Sequence, residues 1–479
     1  MNSFTSQHRF RIQLQLLARF CLALLCGCAC PWYGERDRLG GLLADRSGLS
    51  VQLPVDARRD VVIPPDVDLS DGLSQAEAVR LGMQNNAQFH VLLTDLETFQ
   101  AAVIEADQVA NPQLMTLFPL GVKQWELALR LPIDALWLRS LRVSAANLQS
   151  RRVTERLVQD GLNVVRDIRV AYINHAAAQQ QLEVARQGAK LRQAIAAVAE
   201  ARWRAGAISE LDASAMRLDA LASGQEIVER QGQVSLTRDR LRTAMGTISL
   251  AESFDQLQSS TATPPDQLEL STLVEVALAQ RPDLGAIQIG VFAAQQVSEL
   301  SRHNYLTVLG ILPDLNGRGL KGLEAGPGLQ LNLPIFHQNQ GAIARANASW
   351  LLAERQLVAA RDSVRLEVGQ AYTQLQQAQQ ALTFWQGKMV PVAEKSVGSA
   401  RRALQEDAVS LLIVLEATRQ LQNARQRKVA AWANVQRSIA ELERSIGGKL
   451  DSLPGKNSDT DVQEYRHERS QSIPNPAGH

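Results

Sequence analysis

The same strand-to-helix segment occurs twice in this 479-residue chain, and the two copies lie about 200 residues apart. In each copy, apolar residues alternate with polar or small residues just before a long stretch that lacks proline. Pro132 matches Pro334, and the pair Ala171-Tyr172 matches Ala371-Tyr372. An internal repeat of this length constrains the fold strongly, because both copies are expected to adopt the same structure. The repeat therefore predicts a duplicated structural unit.

Period-two alternation predicts one strand in each copy that is apolar on one face only. These strands are Trp125–Ile133 and Leu329–Ile335. Each is preceded by a second candidate strand, Asn111–Leu120 in the first copy and Tyr305–Leu312 in the second. The lengths are close to the roughly 9–11 residues that a transmembrane β-strand needs. The sequence thus offers two strands in each half.

A long helical hairpin follows the strands in each half, because the sequence there is rich in Ala, Leu, Arg, Glu and Gln. The first hairpin is predicted to descend from Ala135 to about Arg204 and to return as far as Met245. The second descends to about Leu404 and returns as far as Ile446. Small and apolar residues at alternating steps of four and three predict close packing along one helix face, here called the α seam. The α seam consists of Leu157, Gly161, Val164, Ile168, Ala171, His175, Ala178, Leu182, Ala185 and Ala189.

Charge, cysteines and motifs exclude several classes of function. The formal net charge is +1, so nothing points to a nucleic-acid partner. All four cysteines lie within the first 30 residues, so the rest of the chain has no disulfide framework or cysteine-ligated metal site. His175 is predicted to be a packed polar residue, and Gly317–Gly322 matches G-x-G-x-x-G but opens no helix, which favours a loop. We therefore predict no cofactor, no metal site and no catalytic residue.

The chain begins with a predicted signal peptide over residues 1–27, with a basic region before an apolar run. Leu25-Cys26-Gly27-Cys28 resembles a bacterial lipobox, and we predict lipidation at Cys28. The alternative is an ordinary cleaved signal with spare cysteines. Residues 28–70 are predicted to form an extended linker, 71–250 the first repeat, 251–448 the second, and 449–479 a disordered tail.

Acidic residues cluster at the predicted far end of each helical hairpin. The tip residues are Gly206, Glu210, Asp212, Asp407, Ser410 and Glu416. Carboxylates that ring a pore would favour cations. Carboxylates also suit solvated helix N-termini, so a simple capping role is the alternative. Both interpretations stay open from the sequence.

Taken with the duplicated strand-to-helix segment and the Ala-Tyr pair, the turns 206–212 (GAISELD) and 408–418 (AVSLLIVLEAT) resemble the TolC-type outer-membrane efflux proteins. The resemblance covers about residues 70–448. It implies a mainly α fold with a small β part, in which long antiparallel helical hairpins form a periplasmic α-barrel. It also implies a homotrimer, to which each chain gives four strands of a twelve-stranded outer-membrane β-barrel.

The resemblance further implies docking to a periplasmic adaptor protein and an inner-membrane transporter. The acidic gate of the family corresponds here to Ile413 and Glu416, and only Glu416 keeps the carboxylate. In such a barrel, one face of the strands contacts outer-membrane lipid. The lipid-facing residues are then Trp125, Leu127, Leu129, Leu131, Leu329, Leu331 and Leu333. The first strand is short and contains Pro119, which departs from a regular hairpin.

Two other classes of function remain. A lipid-anchored periplasmic coiled-coil scaffold without a pore would carry the same long helices. An enzyme would need a constellation of polar groups in a pocket, and the sequence contains no such motif. The fold and function implied by the resemblance are therefore an efflux channel that exports small molecules or ions.

We expect mass spectrometry of the mature protein to detect an N-terminal cysteine at position 28 that carries acyl chains. The reason is the small residue and cysteine at the end of the apolar run. A Cys28→Ser variant should lose the acyl mass. An unmodified N-terminus beyond residue 30 in the native protein would contradict lipidation.

Overall fold

A computed structural model describes most of the chain, and it begins at residue 34. The described residues are 34–48, 61–109, 111–117, 126–130, 138–249, 257–258, 269–303, 308–317, 323–331, 335–336, 338–406 and 408–450. The predicted disordered tail lies outside them, apart from residues 449 and 450. Within the described residues, no helix is both long enough and apolar enough to cross a membrane.

The two halves of the chain have the same order of elements. The first half contains α1 (Gly34–Ser47), α2 (Gln75–Asn85), α3 (Ala87–Asp107), β1 (Gln113–Leu117), β2 (Glu126–Arg130), α4 (Arg139–Arg204) and α5 (Glu210–Met245). The second half contains α6 (Leu270–Gln280), α7 (Pro282–His303), β3 (Val308–Gly317), β4 (Leu323–Leu331), α8 (Gln340–Phe384), a π-helical segment (Trp385–Met389), α9 (Val390–Gln405) and α10 (Leu411–Ile446). Apart from α1, each element of the first half has a counterpart in the second. The predicted repeat and the mainly α fold class are thereby confirmed.

Local sequence signals set the helix ends. Ser74 and Glu77 form a reciprocal capping box at the start of α2, as the Ser-x-x-Glu spacing predicts. The Asn86 side chain accepts a hydrogen bond from the Phe89 backbone and separates α2 from α3. Both return helices end at a glycine with positive φ, namely Gly246 in the first half and its counterpart in the second. A left-handed C-cap favours glycine because it has no Cβ.

The long helix α4 has 66 residues, which corresponds to about 99 Å at 1.5 Å per residue. Eight of the ten α-seam residues are buried, and the other two, Val164 and Ala171, are half-buried. His175 lies in this seam, 1% exposed, with its Nδ1 3.1 Å from the Thr237 hydroxyl. The predicted seam and the predicted packed histidine are therefore confirmed.

The strands form one antiparallel sheet in the order β1-β2-β3-β4. Leu127 and Leu129 lie in β2, and Leu329 and Leu331 lie in β4. The remaining predicted lipid-facing residues, Trp125, Leu131 and Leu333, lie outside the described residues.

The predicted bounds of the second hairpin need correction, because β3 continues to Gly317 and β4 already starts at Leu323. Cross-strand pairing, including Pro313 opposite Pro327, extends both strands into segments without alternation. The G-x-G-x-x-G sequence joins these two strands, and its residues 318–322 lie outside the described residues.

The predicted extended linker over residues 28–70 is wrong for Gly34–Ser47, which form helix α1. Leu39 and Leu43 of α1 are fully buried, and Leu43 fills the space that a Cβ on Gly161 would occupy. Arg46 donates hydrogen bonds to the backbone carbonyls of Gln280 and Gly447, at the ends of α6 and α10. Burial of two leucines one turn apart explains why this segment is helical. Helix α1 thereby joins the first repeat to the second.

The repeated tyrosines differ in their surroundings. Tyr172 is 1% exposed, and its hydroxyl lies 2.8 Å from the Leu73 carbonyl and 2.7 Å from the Gln258 carbonyl. Burial raises the pKa of Tyr172 to about 12, with a smaller contribution from the negative charge of Glu77. Tyr372 is half-buried, and its hydroxyl accepts a hydrogen bond from Gln376.

Replacing Tyr172 by Phe should destabilise the protein, because the hydroxyl shared by the Leu73 and Gln258 carbonyls is lost. The Leu73 carbonyl keeps the Gln258 backbone N–H as a donor at 3.0 Å. The expected loss is about 1–3 kcal/mol. Urea unfolding followed by circular dichroism measures it. Tyr372→Phe is the matched control in the second repeat and should cost much less. Equal unfolding midpoints for the two variants would contradict the role assigned to Tyr172.

Candidate functional site

The first hairpin tip connects α4 to α5 through residues 205–209. Gly206 has φ +73°, a left-handed conformation that favours glycine. The Ser209 hydroxyl caps α5, because it accepts from the Asp212 backbone N–H at 3.1 Å and donates to Asp212 Oδ2 at 2.7 Å. Glu210 and Asp212 lie in the first turn, where the helix dipole favours carboxylates. Asp212 is thus engaged as part of a helix cap.

The second hairpin tip connects α9 to α10. Ser410 is the N-cap of α10, with extended backbone angles of φ −78° and ψ 156°, and its side chain makes no capping hydrogen bond. Leu411 follows and is buried, whereas Asp407 lies outside the described residues. Arg202 Nη2 in the first tip lies 3.5 Å from the carbonyl of Leu404 in the second. The two tips therefore lie side by side.

Glu416 lies on an exposed face of α10, one turn beyond the second tip. Its side chain is 56% exposed, and Arg419 Nη1 lies 3.9 Å from its carboxylate. Gln420 Nε2 donates to the same carboxylate at 3.2 Å. Ile413, one turn earlier, is 50% exposed. In a single chain, the predicted gate residue is thus solvent-accessible and lies beside a cation.

An apolar cluster holds the two hairpins together next to the tips. The first hairpin contributes Ile195, Ala199 and Met216. The second contributes Val390, Ala393, Val397, Ala400, Leu411, Val414, Leu415, Ala417, Leu421 and Ala424. Burial of this apolar area is the main force that joins the tips, because apolar contacts are nondirectional and roughly additive in area. Polar contacts add directional constraints to this packing.

A buried carboxylate provides the first of these polar contacts. The Asp219 side chain on α5 is 6% exposed and lies between two arginines. Arg419 of α10 donates from Nε at 3.0 Å and from Nη2 at 2.6 Å to Asp219 Oδ1. Arg192 Nε of α4 lies 3.5 Å from Asp219 Oδ2. One carboxylate therefore connects three helices.

Two glutamines of α10 provide the second polar contact with α5. Gln422 Nε2 and Gln426 Nε2 donate to the two carboxylate oxygens of Glu226, at 3.0 Å and 2.6 Å. Gln422 passes over Gly188 of α4, and a Cβ at that position would overlap its amide. The missing side chain at Gly188 thus opens a path between α10 and α5. We call this set the polar bridge: Asp219 and Glu226 of α5 with Arg419, Gln422 and Gln426 of α10.

The sequence did not predict the polar bridge. A sequence signal exists, because Asp219 lies between Met216 and Ser223 on the buried face of α5, where a charged residue needs a partner. The predicted tip residues, by contrast, lie at the ends of the hairpins where they were expected, apart from the undescribed Asp407. Within the part of the chain that the structure describes, no group of three or more His, Cys, Asp or Glu side chains could hold a metal ion.

Each half of the chain contributes one long helical hairpin and two strands of a single antiparallel sheet. The sequence profile of the outer membrane efflux protein family matches residues 98–247 and 273–448. The match covers most of both halves, so the chain belongs to the outer membrane efflux protein family. As a member, it acts in the outer membrane as an efflux channel whose helices extend into the periplasm.

Individual relatives agree with this assignment. The chain is 25% identical over 390 residues to the cobalt-zinc-cadmium resistance protein CzcC of Cupriavidus metallidurans, which covers 78% of this chain and 90% of CzcC. It is 24% identical over 332 residues to the pyoverdine export outer membrane protein OpmQ of Pseudomonas putida, over 65% of this chain and 67% of OpmQ. The solved structure of CusC superimposes with a TM-score of 0.66 at 18% identity, covering 82% of this chain and 99% of CusC.

Replacing Asp219 by Asn should loosen α5 from α10, because Arg419 and Arg192 lose a buried anion. Hydrogen bonds to charged groups contribute about 1.5–3 kcal/mol, so opening of this region should become markedly more frequent. Hydrogen exchange measured by mass spectrometry should accelerate across residues 210–230. Asp239→Asn is the matched control on the same helix, since its side chain is 65% exposed. Identical exchange in the two variants would contradict a structural role for the polar bridge.

Proposed function

We propose that this chain is the outer-membrane channel of a tripartite efflux system and that it works as a homotrimer. The observation that carries the proposal is the open sheet β1-β2-β3-β4, whose outer strands β1 and β4 pair on one side only among the described residues. Unpaired backbone groups are costly in lipid, so a sheet there must close into a barrel. Three copies would supply twelve strands, with β4 of one copy beside β1 of the next.

The helical hairpins support the second half of this proposal. They would form a tube through the periplasm, with the paired tips at the end away from the membrane. That end would meet a periplasmic adaptor protein and an inner-membrane transporter, as in other tripartite systems. The scaffold alternative would leave the exposed edges of the sheet without a function.

We infer that small molecules or ions pass through the tube. CzcC, which aligns over the larger share of both chains, is a cobalt-zinc-cadmium resistance protein. Divalent metal ions are therefore the first cargo to test. A deletion strain complemented with this channel and its cognate transporter should accumulate less cobalt, zinc or cadmium than the uncomplemented strain.

The alternating leucines of β2 and β4 support a lipid-facing surface on the barrel. Leu129→Arg should reduce insertion into the outer membrane, because an arginine at the bilayer midplane costs about 2–4 kcal/mol. Ala128→Arg is the matched control at the next residue, since adjacent residues of a strand face opposite sides. Heat-resistant trimer in purified outer membranes measures insertion. Equal yields for the two variants would reject the assigned strand faces.

The tip carboxylates support a cation-selective constriction. In planar bilayers we expect the wild-type protein to conduct, and the reversal potential in a salt gradient should indicate preference for cations. Glu416→Ala should weaken that preference and Glu416→Lys should shift it towards anions. Asp212→Ala should have a smaller effect, since its carboxylate already accepts a hydrogen bond from the Ser209 hydroxyl.

These measurements can fail in two distinct ways. Absence of conductance together with absence of a trimer would contradict the channel proposal itself. If wild type and Glu416→Lys conduct with the same selectivity, the channel proposal stands and the role of Glu416 in selectivity is rejected.

A further inference from the structure

A groove of about 740 Å³ runs along α10, far from the hairpin tips. Helix α10 forms its floor, and α4 and α8 form its two walls. All three helices belong to one chain, so the groove is complete without a second copy. Its volume suits a small organic molecule, because ligand pockets of that class measure about 300–1,000 Å³.

The groove lies on the side of α10 that faces away from α6. Val435, Ile439 and Leu442 of α10 pack with α6 and α8 in one apolar cluster. Arg437 and Glu441 line the groove and are each two residues from Ile439, so they lie about 160° away from it around the helix. Helix α6 therefore leaves the floor of the groove open.

The carboxylates of the groove are already paired with arginines. Glu441 lies 3.3 Å from Arg166 and 2.8 Å from Arg444. Glu367 lies 2.8 Å from Arg281 and 3.4 Å from Arg444. These ion pairs neutralise both acids and leave one further arginine in the lining.

That further arginine, Arg437, has neutral hydrogen-bond partners. Its guanidinium donates to the side-chain oxygens of Asn174 on α4 and Asn434 on α10. Burial lowers the pKa of Arg437, and among the described residues no carboxylate forms an ion pair with it. A guanidinium keeps its charge and has five N–H donors, so donors remain for an anion. A half-buried cation without a counter-ion is costly, and a bound oxyanion would offset that cost.

The internal repeat shows that the fold does not require an arginine at this position. Gly246 and Gly447 end the two return helices with the same left-handed cap. Leu236 and Arg437 lie at the same distance before these glycines, so they are equivalent. Leu236 is 56% exposed. The same helix position thus carries an apolar side chain in one repeat and a cation in the other.

The α8 wall of the groove combines amides with aliphatic groups. Gln370, Gln374 and Gln377 present amide groups, and Ala378 and Ala381 present methyl groups. Amide N–H groups bind an oxyanion without adding charge. Aliphatic surface favours the apolar body of an organic molecule over a bare inorganic ion.

We propose that this groove binds a small organic anion, whose carboxylate is held by Arg437 and whose apolar body lies against the α8 wall. The planar guanidinium matches the geometry of a carboxylate. The inference rests on the proposed function, since it names organic anions as a class of cargo. A closed ring of long helices has more room for short helices outside than inside. With α6 outside, the groove faces the interior of the proposed tube.

Isothermal titration of the purified full-length protein with 2-naphthoate tests the site. The neutral ligand of similar shape is 2-naphthamide. We expect one 2-naphthoate to bind per chain and 2-naphthamide to bind about tenfold more weakly or not at all. Arg437→Gln should weaken 2-naphthoate binding by about tenfold, which corresponds to about 1.4 kcal/mol. It should leave the weak binding of 2-naphthamide unchanged.

Two further variants separate the site from general electrostatics and from misfolding. Arg427→Gln is the matched control, because Arg427 is an exposed arginine of α10 that lies outside the groove lining. It should bind 2-naphthoate as the wild type does. Gln374→Glu changes an exposed residue and places a carboxylate in the α8 wall, where it competes with the ligand for Arg437. It should weaken binding by a similar factor, with the unfolding midpoint unchanged.

Equal affinity of the wild type and Arg437→Gln for 2-naphthoate would overturn the site, and so would an equal loss in Arg427→Gln. Inorganic phosphate that displaces 2-naphthoate at equal concentration would assign the groove to free phosphate and overturn the organic anion. A trimer that conducts but does not bind 2-naphthoate would overturn this inference and leave the proposed function. A monomer that binds 2-naphthoate but does not conduct would confirm the anion site and overturn its role in transport.

Discussion

Close packing around α4 is the constraint on which the rest of the structure depends. This one helix contacts α1, α2, α3, α5, α7 and α10. It can do so because its seam alternates leucines and isoleucines with glycine and alanine, so that neighbouring helices approach closely. Gly161 accepts Leu43 of α1, and Gly188 accepts Gln422 of α10. A Cβ at Gly161 would displace the Leu43 side chain, and one at Gly188 would displace the Gln422 amide.

The polar bridge depends on this packing and adds directional hydrogen bonds between α5 and α10. Apolar packing holds the hairpins together and sets which helix faces meet. Asp219 and Glu226 accept hydrogen bonds from α10 at defined positions about two turns apart, so α5 and α10 are held in one register. Buried ionic contacts are weak sources of net stability, because desolvation offsets much of their attraction. Their value here is geometric: they orient the two tips relative to each other.

Much of the architecture could be predicted because it follows from the local periodicity of the sequence. The hairpin helices follow from residue spacing and composition, and the break at Asn86 and the cap at Ser209 follow from single residue types. Helix α1 escaped prediction because residues 28–70 show no apolar period, whereas burial of Leu39 and Leu43 against the rest of the fold stabilises the helix. The second strand hairpin extends through Pro313 and Pro327 because cross-strand pairing outweighs weak local preference. The lipid-facing assignment of the strands stays a prediction.

The candidate site was predictable in position but not in detail. The tip residues follow from turn chemistry, and a turn is a local feature of sequence. Arg419, the hydrogen-bond donor to Asp219, is 200 residues away along the chain, and no periodicity in α5 identifies it. A charged residue on a buried face indicates that a partner exists without naming it. Contacts of this kind become visible only when the helices are packed.

The helix that descends towards the tip is α4 in the first half, and in the second half it consists of α8, the π-helical segment and α9. These two helices differ, although the repeat predicts that they should match. The inward-facing residues of the second descending helix step by four and three through Leu375, Ala378, Leu382 and Trp385, and then by five to Val390. The π-helical segment Trp385–Met389 covers this step of five. A continuous α-helix with one extra residue would rotate everything below it by about 100° and turn Val390 and the residues after it away from α10. A π-helical turn absorbs the extra residue and keeps the seam on one side.

The position of the π-helical segment has its own local cause. Pro391 has no N–H, so the Gly387 carbonyl one turn earlier lacks its usual donor, and a regular helix would also clash there. The wider turn relieves that clash, and the Val390 N–H bonds instead to the carbonyl of Trp385, five residues back. The first descending helix contains no proline between Arg139 and Arg204, and it stays α-helical over its whole length. One residue and one proline therefore account for the main departure between the two repeats, and they also set which side chains α9 presents outward.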